Sequence, residues 1–343
     1  MAHHEGDILP AHSPPLRGRA RELAALEDVL RRAATGRGGA RVIVGAPGIG
    51  KTALLEAAAG SAVSPDGVRV LRACGTPAES ALPYAGLHQL LLPLGDLAAR
   101  VPLRHRTALL PLLDPASDSD PPATLARHAA LHALLVAAAR EGPTLCCVDA
   151  AHDLDRASLD ALAFVARRSD VAPLVVLFAA DLVGADVAET LADVPWLFLD
   201  PVADDAAHRI LTDRIGACPH DLSSGILDLA EGNPLALTEL AAHVTPAQLS
   251  GIDPPPSALP ADGRLCRAIR RALDALPAAT RRLVCLAALD ERLDVSTLDS
   301  LDALGGWCRT RLLWLGAGGG GRIPARTARG AKASRWRDSL RDR

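Results

Sequence analysis

The sequence predicts an α/β fold, a parallel sheet with flanking helices followed by an all-α subdomain, and three observations carry that prediction. Short apolar runs at 41–44, 145–148 and 174–178 alternate with longer helix-forming stretches, as strands do when crossover helices cover both faces of a sheet. The first of these runs opens directly into Gly45-Ala46-Pro47-Gly48-Ile49-Gly50-Lys51-Thr52, the pattern G-x-x-x-x-G-K-[ST] in the strand-loop-helix setting it requires. Beyond about residue 202 the strand signals stop and only helical periodicity continues.

Taken in chain order, residues 1–15 are polar and rich in Pro and His, which predicts a disordered N-terminus. Helical spacing of apolar residues over 22–30 predicts a helix stopped by the glycines at 36–39. A buried strand at 41–44 and a helix over 52–59, closed at Gly60, bracket the loop, and 68–73 reads as a second strand. Residues 87–94 and the region of 109–113 look helical, 114–122 is a loop by its Asp, Ser and Pro content, and 126–139 is an alanine-rich helix. Strand 145–148 follows Gly142-Pro143, and a helix over 159–167 leads to strand 174–178. Helices are then expected at 206–215, 223–230, 235–243 and 264–276, interrupted by Pro254-Pro255-Pro256. The resulting layout is a P-loop NTPase-like domain at 16–201, a helical lid at 202–256, the start of a helical or winged-helix region at 257–303 and a basic Gly/Arg-rich tail at 304–343.

The glycine-lysine pattern has a specific chemical use. Glycines let the backbone curl until successive N–H groups point at phosphate oxygens, and the following helix adds the positive end of its dipole. In such a loop the lysine is a compact charge on the β- and γ-phosphates, and the Thr hydroxyl reaches the Mg²⁺ that bridges them. Gly45, Ala46, Pro47, Gly48, Ile49, Gly50, Lys51 and Thr52 are therefore the expected binding residues for ATP or ADP. The chain holds only two lysines, Lys51 and Lys332, so one falling in this pattern is informative. A metal-side carboxylate is expected at the end of an apolar strand, and Asp149 after 145–148 supplies it, which makes Thr52 and Asp149 the candidate Mg²⁺ residues.

Hydrolysis needs more than binding. Many ATPases of this layout place a second acid directly after the strand-end Asp, and here that position is Ala150; a missing general base typically costs about 10²- to 10⁴-fold in rate. Asp153 and Asp155 are acids at other offsets. Where a polar sensor is expected at the end of the next strand, the chain reads Phe178-Ala179-Ala180-Asp181. No catalytic residue is assigned from the sequence.

Composition excludes several classes. The 343 residues are 49% hydrophobic and 22% charged, as in a globular protein. No run of about 18 apolar residues predicts a membrane span, and the first residues lack the pattern of a secretion signal, so the cytoplasm is expected. Seven cysteines without a C-x-x-C pair read as small buried hydrophobes. His128 and His132 are four apart on a helix but have no third ligand near in sequence. Net charge is −3, split into +8 over 304–343 and −11 over 1–303. The body offers no basic stripe, and direct DNA binding is not expected.

With these residues in view, the chain resembles the nucleotide-binding half of the large ATP-binding LuxR-type regulators of actinobacteria, within the STAND branch of AAA-like ATPases. The resemblance rests on five stretches: Leu16-Arg17-Gly18-Arg19-Ala20-Arg21-Glu22-Leu23, the phosphate loop, Leu82-Pro83-Tyr84-Ala85-Gly86-Leu87-His88-Gln89-Leu90-Leu91, Val148-Asp149-Ala150-Ala151-His152-Asp153-Leu154-Asp155, and Gly232-Asn233-Pro234-Leu235-Ala236-Leu237. It covers roughly residues 14 to 300. It implies that Arg19 lies in the segment lining the adenine side and that Pro234 closes over the nucleotide from the lid. The family pattern has Asp where this chain has Ala150, Trp where it has Asp153 and Arg where it has Ala180. Family members continue into helical repeats and a DNA-binding helix-turn-helix, whereas the likeness here fades after Leu298 into the Gly/Arg-rich tail. That tail is expected to be the product of truncation or a frameshift, with a weakly nucleic-acid-binding tail as the alternative.

The expectation is thus an ATP/ADP-binding signalling switch with weak or absent hydrolysis, which partners nucleotide and self-associates or pairs with full-length homologues. Two alternatives stay open: an active AAA-like ATPase using an unidentified acid, and a fragment without independent activity.

Overall fold

The computed structural model describes residues 16–62, 67–98, 100–113, 124–181, 185–274, 276–278 and 281–282. The expected loop at 114–122, residues 283–303 and the tail at 304–343 lie outside these residues, as does the N-terminal 1–15.

Helix α1 (Ala20–Ala34) leads into β1 (Gly39–Gly45), and the phosphate-loop pattern follows before α2 (Lys51–Ala62) and β2 (Arg69–Cys74). Next come α3 (Ala85–Leu91), a 3-10 turn (Leu92–Leu94), α4 (Gly95–Ala98), α5 (Leu103–Leu113) and α6 (Thr124–Glu141). Strand β3 (Thr144–Asp149), α7 (Arg156–Ala166), β4 (Leu174–Ala180), α8 (Ala185–Thr190) and β5 (Trp196–Leu199) complete the α/β part. The rest is helical: α9 (Asp204–Ile215), α10 (His220–Ala230), α11 (Pro234–Ala242), α12 (Pro246–Leu249) and α13 (Arg264–Asp274).

All five strands are parallel, in the order β2-β3-β4-β1-β5. The central strand β4 is buried at every position, which is why 174–178 reads as an unbroken apolar run rather than an alternating one. Alternate residues serve opposite faces, as the period of two demands. Val42, Val44, Cys146, Val148, Val176 and Phe178 join the core formed with α3 to α7. Ile43, Leu145, Cys147, Val175 and Leu177 face the opposite core with α1 and α2. A third cluster holds α9, α10 and α11 together through Leu211, Ile226 and Leu237, and Leu265 of α13 is buried in it.

Three expectations need correction. Helix α2 does not close at Gly60 but runs to Ala62; a glycine inside a helix costs only about 1 kcal/mol, and burial of Ala58, Ala59 and Ala62 on either side outweighs it. Strand β5 was not among the strands read from the sequence. It is four residues long at the sheet edge, and its pairing with β1, Val42 to Gly45 against Trp196 to Leu199, defines it more than its own pattern does. The cysteines are not uniformly buried: Cys146 and Cys147 are, Cys218 and Cys266 are half-buried, and Cys74 is exposed at the end of β2. Burial pushes the Cys147 thiol up to about 12 and Cys146 further still, so both behave as inert hydrophobes.

Candidate functional site

Ligand sites in parallel sheets form beyond the carboxyl ends of the strands. Here β1, β4 and β3 are consecutive neighbours, so the loop after Gly45, the residue after β4 and the last residue of β3 meet along one edge. Those residues are the glycine-lysine loop, Asp181 and Asp149.

The loop needs its glycines. Gly48 and Gly50 have φ of 76° and 103°, a region that side chains disfavour. A Cβ on Gly48 would lie 2.8 Å from both Asn233 Oδ1 and Leu235 Cβ, whereas one on Gly50 would meet nothing within 4 Å. The loop is therefore packed against the helical part at Gly48 and open at Gly50. Ile49, fully buried, pins it from below.

Lys51 opens α2 and turns back over the loop. Its Nζ donates to Gly45 O at 2.9 Å and Ala46 O at 2.8 Å, and lies 2.5 Å from Asp181 Oδ1. His152 braces that carboxylate: the Asp181 N–H donates to His152 Nδ1 at 3.1 Å, and His152 Nε2 is 3.5 Å from Asp181 Oδ2. With Nδ1 accepting, the neutral ring carries its proton on Nε2, facing the carboxylate. Asp149, at the end of β3, accepts the Ala150 N–H on Oδ1 at 2.8 Å, which leaves Oδ2 for other partners. Thr52 is exposed, one residue into α2.

Arg19 is buried at 3% exposure and donates through Nη2 to Ile49 O at 3.0 Å, with Glu22 Oε1 3.5 Å from Nη1. Burial lowers its pKa, against an opposing pull from Glu22. Its contact is with the backbone of the loop, which it braces from the α1 side. Its Nε is buried and has no hydrogen-bond partner.

The helical part reaches the loop through Asn233. The side chain caps α11, accepting from Leu235 N at 3.0 Å and Ala236 N at 3.2 Å, and donates through Nδ2 to Pro47 O at 2.9 Å. Pro234 occupies the first turn of α11, and Leu235 N also donates to Gly48 O at 3.1 Å. Asn233→Ala is expected to lose the cap and the cross-link together and to destabilise the chain by about 1.5 kcal/mol, measurable as a shifted urea midpoint.

The acids after Asp149 divide. Ala150 has φ 45°, ψ 45° and turns the chain into a short 3-10 segment. Asp153 lies 3.7 Å from His152 Nε2 at the rim. Asp155 is buried and committed elsewhere: it accepts Ser158 N at 2.8 Å as the cap of α7, Tyr84 N at 2.7 Å and Gly86 N at 3.1 Å. It holds Tyr84, at φ 69°, in the left-handed conformation that starts α3. His128 and His132 pack against the Phe164 ring, and among the described residues no three potential metal ligands cluster. No helix among them is long and apolar enough to cross a membrane.

The structure thus brings the loop, Arg19, Asp149 and Pro234 to one edge, and adds Asp181, His152 and Asn233. Asp181 directly follows Ala179 and Ala180, which are buried strand residues; the strand ends two residues later than its apolar run 174–178 suggests. Asn233 did carry a signal, an Asn immediately before a Pro that starts a helix.

The residues present fit a phosphate-bearing ligand: positive-φ glycines, a lysine ammonium and a helix start converge on a loop with open space above Gly50. Among solved structures, the chain is similar to the RuvB Holliday junction branch migration motor of Thermotoga maritima, at 15% identity and TM-score 0.44 over 84% of this chain and 82% of that one. It is also similar to Cdc6p from Pyrobaculum aerophilum, at 16% identity and TM-score 0.46, covering 82% and 76%. A Signal Transduction ATPase with Numerous Domains (STAND) protein with a tetratricopeptide repeat sensor, from Pyrococcus horikoshii, aligns at 14% identity and TM-score 0.38, over 90% of this chain but 41% of that one. No curated protein matches the sequence. Residues 15–177, which carry Arg19, the glycine-lysine loop and Asp149, match the AAA ATPase domain family, and a five-stranded parallel sheet with flanking helices is the P-loop NTPase fold that such a domain requires.

Proposed function

We propose that this chain is an ATP/ADP-binding switch module of the STAND kind, belonging to a LuxR-type regulator, in which nucleotide is held far longer than it is cut. The observation that carries the reading is the double attachment of the loop: Lys51 turns back onto its Gly45 and Ala46 carbonyls, and Asn233 ties its Pro47 carbonyl to α11. A ligand that reshapes the loop therefore acts directly on the helical lid, which is the coupling a switch needs.

In this reading the loop N–H groups and Lys51 hold the phosphates, Thr52 and Asp149 hold Mg²⁺, Arg19 supports the loop beneath the nucleotide, and Pro234 lies at its lid side. Bound Mg²⁺ supplies charge neutralisation to the phosphates. Slow turnover follows from Ala150, which offers no base, and from Asp155, whose carboxylate is occupied by three backbone N–H groups. The lid extends over 202–256, the chain acts in the cytoplasm, and its partners are a second copy or a longer homologue.

Calorimetric titration of the full chain with MgATP and MgADP, run beside a phosphate-release assay, tests this. Micromolar binding with release slower than about one per minute is expected. The left-handed backbone at 150 tolerates Asp, so Ala150→Asp should raise turnover at least tenfold while binding stays within threefold. Absence of magnesium-dependent binding to the folded protein would sink the reading.

A further inference from the structure

We propose that Asp181 sets the phosphate preference of this site, disfavouring a terminal γ-phosphate so that a nucleoside diphosphate is held more tightly than a triphosphate. The inference rests on the reading of the loop as a nucleotide site and goes beyond it by naming which nucleotide the resting chain selects and which residue selects it.

A lysine ammonium has three N–H donors, and Lys51 has three acceptors around it: it donates to the carbonyls of Gly45 and Ala46 and forms an ion pair with Asp181. The first two acceptors belong to the loop itself. The third comes from the end of β4, between the loop strand β1 and the Asp149 strand β3. The lysine of such a loop serves the β- and γ-phosphates, so the oxygens of a terminal phosphate compete with the Asp181 carboxylate for the same ammonium. They also meet a second negative charge where solvent screening is weak, since Lys51 is 10% and Asp181 19% exposed. A diphosphate brings about one unit of negative charge less and leaves the pair at the β4 end in place.

Asp181 has a second neighbour beside Lys51. Its own N–H is anchored on His152 Nδ1, and His152 Nε2 faces its second carboxylate oxygen. The backbone of Asp181 is thus anchored on His152 and its carboxylate lies between His152 and Lys51, so a triphosphate competes with an ion pair that a diphosphate spares. Ala180, the residue before it, is fully buried and contributes no polar group of its own.

The test is the ratio of dissociation constants for MgADP and MgATP, measured by calorimetry on the wild-type chain and on Asp181→Asn and Asp181→Ala. The wild type should bind ADP at least tenfold more tightly than ATP. Either substitution should tighten ATP tenfold or more and shift ADP less than threefold, bringing the ratio towards one. A wild type that binds ATP as tightly as ADP overturns the inference without needing a variant. So does Asp181→Asn weakening ATP, the result expected if the carboxylate instead helps to hold the metal, or an unchanged ratio in both variants. Failure of the wild type to bind either nucleotide overturns the nucleotide reading itself, and this inference with it.

Discussion

Lys51→Ala should reduce the affinity for MgATP and MgADP by about 100-fold or more. Hydrogen bonds to charged groups contribute roughly 1.5–3 kcal/mol each, and at 1.4 kcal/mol per decade the loss of such contacts to phosphate exceeds two decades. The lysine has no understudy, because no other lysine lies among the described residues. Nearby Arg19 cannot take over, being buried with its guanidinium on the Ile49 carbonyl. Its removal also frees Asp181, leaving an uncompensated carboxylate beside the loop, so an incoming phosphate meets repulsion where it met attraction. Lys51→Arg should recover little, since a planar fork does not replace a compact ammonium already seated between two loop carbonyls. Fluorescent-nucleotide titration at matched magnesium checks this, with circular dichroism to show that the fold survives. A loss smaller than tenfold would mean that the loop amides alone carry the binding.

Asp155→Ala should destabilise the folded chain by about 3 kcal/mol or more, an effect of similar size arising from structure instead of binding. The carboxylate is 3% exposed and accepts three backbone N–H groups from two distant segments, at Tyr84, Gly86 and Ser158. Deleting it leaves three N–H groups without their acceptor, each worth about 1–3 kcal/mol when buried. It also removes the α7 cap and the carboxylate that accepts from Tyr84 N in its left-handed conformation. Asp155→Asn should recover only part: one amide oxygen can still accept from Tyr84 and Ser158, but an NH₂ then faces the Gly86 N–H, donor against donor. Chemical denaturation of the three proteins should rank wild type above Asn above Ala. If Asp155 were instead the water-activating acid, Asn would abolish phosphate release without loss of stability.

Much of the α/β half was legible because its signals are local. Each strand on the buried side of the sheet is a continuous apolar run, and the loop carries its own residue code. The helices α6 and α7 followed from composition and spacing. What was missed depended on neighbours. Strand β5 is recognisable only by pairing with β1, and α2 passes Gly60 because the alanines beside it are buried. The exposed Cys74 has an ordinary strand sequence and is bare only because β2 lies at the sheet edge.

The sequence by itself determined the parallel α/β fold and singled out the glycine-lysine pattern of residues 45–52 and the strand-end acid Asp149 as candidates, because strand period, glycine conformational freedom and lysine charge act over a few consecutive residues. Only the tertiary structure decided which acid reaches Lys51, what ties the loop to the helices and where Asp155 spends its hydrogen bonds. Those partners are 130, 186 and about 70 residues apart in the chain. Their meeting is set by the placement of β4 beside β1 and by the packing of α11 on the loop, which no local pattern encodes.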